Sequence, residues 1–165
     1  MDFRHIQFWD QRSQVDLKQL QQLFQIAAFW AKDRQIEDLE VAIANSEPVI
    51  SAWDCDQLIG FARATSDGIY RATIWDVVIH PDYQGAGLGR KLVQTVLSHP
   101  RVSRVERVYL MTTHQESFYG RIGFEENTST TMVLHNHPLI EPCPVWLAQP
   151  ADRIAGSANG NKQRI

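Results

Sequence analysis

The chain has 165 residues, 44% hydrophobic and 10% aromatic, with a formal charge of −3. That length predicts one globular domain burying roughly two thirds of its unfolded surface. The charge argues against a general nucleic-acid binder, and no apolar run reaches the ~18 residues of a membrane-spanning helix.

Residues 3–9 read as a first strand, and 15–30 as an amphipathic helix with Leu17, Leu20, Leu23, Phe24 and Ala27 on one face. Ile36, Leu39 and Ile43 mark a second helix ending near Asn45. Residues 49–53 and 58–65 are two strands joined by the polar turn Asp54-Cys55-Asp56-Gln57. After the turn Ser66-Asp67-Gly68, residues 69–79 form a long central strand. His80-Pro81-Asp82-Tyr83 ends it, because proline cannot continue a ladder. Gln84-Gly85-Ala86-Gly87-Leu88-Gly89 follows, and Leu88, Leu92, Val93, Val96 and Leu97 then share one helical face. A strand over 107–113, a short helix around Tyr119 stopped by Gly123, and a last strand at about 130–135 complete the order. From Pro138 the composition turns proline-rich and then polar, so 1–137 is expected to be the domain and 138–165 an extension, disordered after about 147.

The loop from Gln84 to Lys91 carries the chemistry. A glycine loop running into a helix turns unpaired N–H groups and the positive end of the helix dipole toward one spot, which suits a phosphate or pyrophosphate. The spacing lacks the lysine and hydroxyl of a P-loop, and Arg90 stands where a dinucleotide fingerprint needs its third glycine. It does fit Gln-x-x-Gly-x-Gly at Gln84, Gly87 and Gly89. With FYGRIGF at 118–124, this resembles the GNAT acetyltransferases, over roughly residues 3–135. GFARATSD and ATIWDVVIHPDYQGAGLG look very like the cyanobacterial and plastid group that includes plant serotonin N-acetyltransferases.

The resemblance implies an α/β (α+β) fold: a mixed, mostly antiparallel sheet of six to seven strands flanked by about four helices. It also implies acetyl-CoA as cosubstrate, no metal, and a primary amine acceptor: a small arylalkylamine such as serotonin or tryptamine, with protein N-termini or lysines as the alternative. A non-catalytic acyl-CoA-binding module is the alternative of another class, and a homodimer through the last strands is compatible with it. Gln84, Gly85, Ala86, Gly87, Leu88, Gly89, Arg90 and Lys91 would hold the pyrophosphate, with Val77, Val78, Ile79, Ser117 and Tyr119 completing the coenzyme site. Arg90 and Lys91 are otherwise simply solvated. Tyr119 is positioned to protonate the departing thiolate, since a phenol of pKa about 10 keeps its proton at neutral pH; its bland alternative is an aromatic packed on the coenzyme. The Val77 N–H is the candidate for the oxyanion. Asp76 is either a base working through water or a structural, hydrogen-bonded carboxylate. Phe29, Trp30, Asp76 and Tyr83 are the candidate acceptor contacts, though Phe29 and Trp30 could equally close the core. Many relatives carry Asn seven residues before the tyrosine, where this chain has Thr112.

Cys55 and Cys143 have no metal-ligand spacing, and His135 and His137 lack clear partners. The start MDFRHIQFWDQ has neither a basic nor an apolar leader region, so the mature protein is expected to begin here and remain in the cytoplasm.

Overall fold

The computed structural model describes residues 3–136. These fall into two units, divided after Glu126, and each is described by itself. The expected boundary after residue 137 and the extension beyond it lie outside the described residues.

The first unit is a five-stranded sheet with helices on both faces. Strand β1 is Gln7–Trp9, β2 Val49–Asp54, β3 Gln57–Ser66, β4 Arg71–Ile79 and β5 Arg107–Tyr109. They pair in chain order, antiparallel except β4 with β5, which run parallel. Helix α1 is Leu17–Ala27, α2 Ile36–Ala44, α3 Leu88–Ser98 and α4 Glu116–Gly120. Asp16 caps α1 by accepting the Lys18 and Gln19 N–H groups at 2.9 and 3.1 Å. Leu20, Leu23 and Phe24 of α1 and Leu39 and Ile43 of α2 close one face of the sheet over Val49, Leu58, Phe61 and Val78. Leu88, Leu92, Val93 and Val96 of α3 close the other over Ile50, Ile59, Ile74 and Ile79. The two stripes are the helical period read from the sequence, and neighbours such as Leu58 and Ile59 divide between the faces because strand side chains alternate.

Several expectations change within the expected fold. The sheet has five strands among the described residues where six to seven were expected, and the first strand begins at Gln7 instead of residue 3. The first helix stops at Ala27: Ala28 leaves helical backbone at φ −133°, and Phe29–Ala31 forms a separate 3-10 turn. Strand β5 ends at Tyr109 instead of reaching 113, since it pairs with β4 only over Arg71–Thr73. In the second unit, residues 130–135 form no strand. Their β-branched and apolar residues suit a sheet, but strand preference is expressed only through a paired neighbour, and they form no ladder among the described residues.

Candidate active site

Beyond β4 the chain makes the 3-10 turn Pro81–Tyr83, with the His80 ring nitrogen accepting the Asp82 N–H. Gln84 then turns back and donates its side-chain amide to the Ile79 carbonyl at 2.9 Å, tying the loop to the end of the strand. Its role is therefore to brace the loop. Gly85 and Gly87 sit at φ +79° and +81°, a region that costs other L-residues roughly 1–2 kcal/mol. A Cβ at either would meet no protein atom within 4 Å. The loop needs glycine for its backbone, and the space over it is left open.

Gly87 is also the N-cap of α3 and offers that helix no side-chain acceptor, so the first-turn amides remain without a cap. They border a cavity of about 1130 Å³ lined by Phe3, Arg4, Asp82, Gln84–Leu88 and Lys91. It is a broad depression open to solvent, wide enough for a nucleotide-sized ligand to lie along without being enclosed. Uncapped amides, a helix N-terminus and the side chains of Arg4 and Lys91, set against one carboxylate at Asp82, fit a diphosphate. Lys91 reaches the cavity while its ammonium lies 4.6 Å from the Phe8 ring centre. Arg90 turns the other way: its guanidinium donates to the Arg121 carbonyl at 2.7 Å and braces the end of α4. The two adjacent cations thus divide, one at the cavity and one on the scaffold.

Beside the loop, β4 and β5 part after Thr73. The His80 N–H bonds to Ile59 and Val78 stands opposite Phe61, so their backbone groups face β3. Alternation puts those of Ile79 on the opposite edge, toward the gap, and Val77 precedes Val78 at the point where the ladder is interrupted. Val78 is accordingly unsuited to the coenzyme role expected of it: its backbone faces the ladder and its side chain lies in the α1–α2 core. The Ile79 carbonyl is taken by Gln84.

Strand β4 carries a bulge here. Phe61 faces Val78 and Arg63 faces Trp75, so Ala62 alone stands opposite both Asp76 and Val77. Asp76 holds φ +56°, unusual for a residue other than glycine. Its carboxylate, 5% exposed, accepts from Arg34 at 2.8 Å and Arg63 at 2.7 Å. Burial pushes its pKa up, but the Arg34 hydrogen bond and the charges of Arg63 and Arg34 outweigh burial and hold it below the usual carboxylate value. Such a carboxylate is a poor proton acceptor, and its geometry is that of the structural alternative.

Tyr119 sits on α4 against Phe118 and Phe124, with ring centres 4.9 and 5.9 Å away. Burial raises its phenol pKa above 10, so it stays protonated at neutral pH. No hydrogen-bond partner holds its hydroxyl among the described residues, yet no side-chain oxygen is both sealed from solvent and unbonded. The ring is packed while the proton stays available. A Cβ at Gly89 would lie 3.5 Å from Phe118 and 3.7 Å from Ile79, so α4 packs where the loop meets β4. Ser117 is exposed and outside the cavity lining. Thr112 accepts the Gln115 N–H at 3.2 Å, supporting the turn into α4.

The expected acceptor contacts do not gather in one place. Phe29 and Trp30 are 61% and 50% exposed and pack edge to face at 5.1 Å. Tyr83 lies with the α3 core instead, donating to Asp54 at 2.6 Å and packing on Phe3. Sequence reasoning missed Phe3, Arg4 and Asp82 at the cavity, and Arg34 and Arg63 at the bulge. Arg63 left a signal: a charge inside the apolar run FARA must find a buried partner.

Residues 22–126 match the acetyltransferase (GNAT) domain family. The chain belongs to the GNAT family of acetyltransferases. It is 38% identical over 138 residues to the uncharacterized N-acetyltransferase ycf52-like of Prochlorococcus marinus, covering 81% of this chain and 71% of that protein. Over 70 residues, 42% of this chain and 30% of the relative, it is 43% identical to histone acetyltransferase TAP1 of Glycine max. Among solved structures it resembles a GNAT-family protein from Xanthomonas campestris, with TM-score 0.71, 25% identity, and 81% and 96% of the two chains covered. A GNAT acetyltransferase from Brucella melitensis in complex with acetyl-CoA shares the fold at TM-score 0.60 and 21% identity, over 74% of this chain and 84% of that one. Among the described residues no group of three or more His, Cys, Asp or Glu is placed to hold a metal.

Proposed function

We propose that the chain transfers the acetyl group of acetyl-CoA to a primary amine by direct attack in a ternary complex. The observation that carries this reading is the open, uncapped loop of residues 85–90 beside the parted strands β4 and β5. The diphosphate rests on the loop amides with Lys91 as charged supplement, and the pantetheine arm runs between the strands. The Val77 N–H, at the bulge, polarises the thioester carbonyl and stabilises the oxyanion, worth about 3–4 kcal/mol where such donors are lost. The amine nitrogen attacks that carbon and sheds its proton to water. The carbon–sulfur bond then breaks, and Tyr119 protonates the leaving thiolate and is reprotonated from solvent. With both Asp76 oxygens engaged, the neutral amine attacks without a carboxylate base. At pH 7 an amine of pKa about 10.4 bears a penalty of roughly 4–5 kcal/mol for that neutral form.

The acceptor favoured is an amine carried on a protein or peptide. Phe29 and Trp30 stand in solvent instead of lining an enclosed pocket, which suits a surface that docks a chain. The soybean relative, a histone acetyltransferase, supports this choice. A small arylalkylamine is the second reading, favoured by the edge-to-face Phe29–Trp30 pair as a platform for one aromatic ring. Cys55, exposed and free among the described residues, suits a reducing compartment such as the cytoplasm. The test is thiol release from acetyl-CoA with serotonin, tryptamine, tyramine, spermidine and lysine-bearing peptides. Peptide turnover well above the aromatic amines supports the first acceptor, the reverse order supports the second, and no release with any amine refutes the transferase reading.

A further inference from the structure

The bulge that presents Val77 is held by a side-chain network reaching into the connection between α1 and α2. Asp76 adopts φ +56° on a strand, a conformation its surroundings must hold in place. The Asp76 carboxylate bonds Arg34 through one oxygen and Arg63 through the other. Arg63 continues to the Ser46 hydroxyl at 3.0 Å, and Ser46 donates to the Ala42 carbonyl at 2.7 Å, at the end of α2. Arg34 is fixed at four points: its guanidinium on Asp76, its N–H donating to the Ala31 carbonyl at 3.3 Å, its carbonyl accepting from Gln21 at 2.9 Å, and its charge 5.4 Å from the Phe24 ring centre. Only three residues separate Arg34 from Trp30 in the same connection.

We propose that Arg34 is a positioning residue for acetyl transfer: through Asp76 it sets the β4 bulge and so aims the Val77 N–H at the thioester carbonyl. It thereby couples the segment bearing Phe29 and Trp30 to the oxyanion donor. The inference rests on the acetyl-transfer reading above. Arg34 touches neither donor nor acceptor and acts only through the bulge. Its placement depends on guanidinium shape as well as charge, because a lysine ammonium lacks the flat group that lies over Phe24 while one nitrogen reaches Asp76.

The test compares Arg34→Gln, Arg34→Lys and Asp76→Asn with wild type in kcat, in KM for acetyl-CoA and amine, and in coenzyme A affinity by calorimetry. Arg34→Gln is expected to lower kcat about tenfold or more, as small misplacements of a reacting group do, with coenzyme A affinity within about twofold. Arg34→Lys recovers part of that loss. The Arg34→Gln/Asp76→Asn double variant is no slower than the slower single variant, because both act through one bulge. Full kcat in folded Arg34→Gln, or losses that multiply in the double variant, overturns the proposal. Should Arg34→Gln fail to fold, Arg34→Lys decides: reduced kcat at unchanged coenzyme affinity supports the role and wild-type kcat overturns it. Amide hydrogen exchange over residues 75–79 separates this claim from the activity itself. Faster exchange in the Arg34 variant supports the network even if no tested amine is turned over, and unchanged exchange overturns it.

Discussion

Replacing Gly87 with alanine separates what the loop does for the fold from what it does for the ligand. At φ +81° an alanine costs roughly 1–2 kcal/mol of backbone strain. Its Cβ meets no protein atom within 4 Å, so no packing penalty adds to that. For a domain of this size the melting temperature should fall by about 2–8 °C. Coenzyme binding should suffer far more, because the methyl group stands over the amides assigned to the diphosphate. Losing two hydrogen bonds to a charged group, about 1.5–3 kcal/mol each, weakens affinity by about 10²–10⁴-fold. Gly60→Ala supplies the control: its Cβ would lie 2.7 Å from Ile79 Cδ1 and 3.1 Å from Ala52 Cβ, inside the core. Overpacking there costs about 1–3 kcal/mol of stability, while the folded protein keeps its coenzyme affinity within about threefold, under 1 kcal/mol. Calorimetry with coenzyme A and thermal melts of both variants read the two effects. If Gly87→Ala melts lower yet binds coenzyme A like wild type, the loop is not the diphosphate site.

Other consequences are equally direct. Tyr119→Phe should lower kcat about 10²-fold with coenzyme affinity unchanged, measured by steady-state kinetics and calorimetry; equal turnover removes the acid. Because burial raises the Tyr119 pKa above 10, turnover should climb with pH as the amine loses its proton, with no descending limb below about pH 10. Gln84→Ala removes the brace on the Ile79 carbonyl and should cost about 1 kcal/mol in stability or coenzyme binding together. Arg63→Met removes a partner from the buried Asp76 carboxylate and should destabilise by about 3 kcal/mol in a denaturant titration. Asp76 has a lowered folded pKa, so its contribution is full above about pH 4, the unfolded carboxylate value, and fades as pH falls through the folded value. Acid titration of Asp76→Asn should lack that loss.

Much of the frame was legible because it follows from periodicity. Leu88, Leu92, Val93 and Val96 recur at helical spacing and do pack against the sheet. The loop was legible from Gln84, Gly87 and Gly89, and two of its glycines, Gly85 and Gly87, take the positive φ that calls for that residue. Asp76 was named from the sequence, but its bulge escaped for the converse reason: the residue takes a left-handed conformation without being glycine, and only the bulge and two arginines explain it. Its link to Arg34 joins segments with no shared periodicity. The stop of β5 at Tyr109, where it parts from β4, depends on pairing that local preference does not encode. Residues 130–135 show the same limit, having strand-like composition and no strand.

The central claim is that amides of residues 85–90 hold the diphosphate of acetyl-CoA while its thioester lies between β4 and β5. A crystal structure with acetyl-CoA tests this most directly. The account predicts diphosphate oxygens on those amides and the thioester carbonyl at the Val77 N–H. A coenzyme bound elsewhere, or a loop with no ligand at saturating acetyl-CoA, contradicts it.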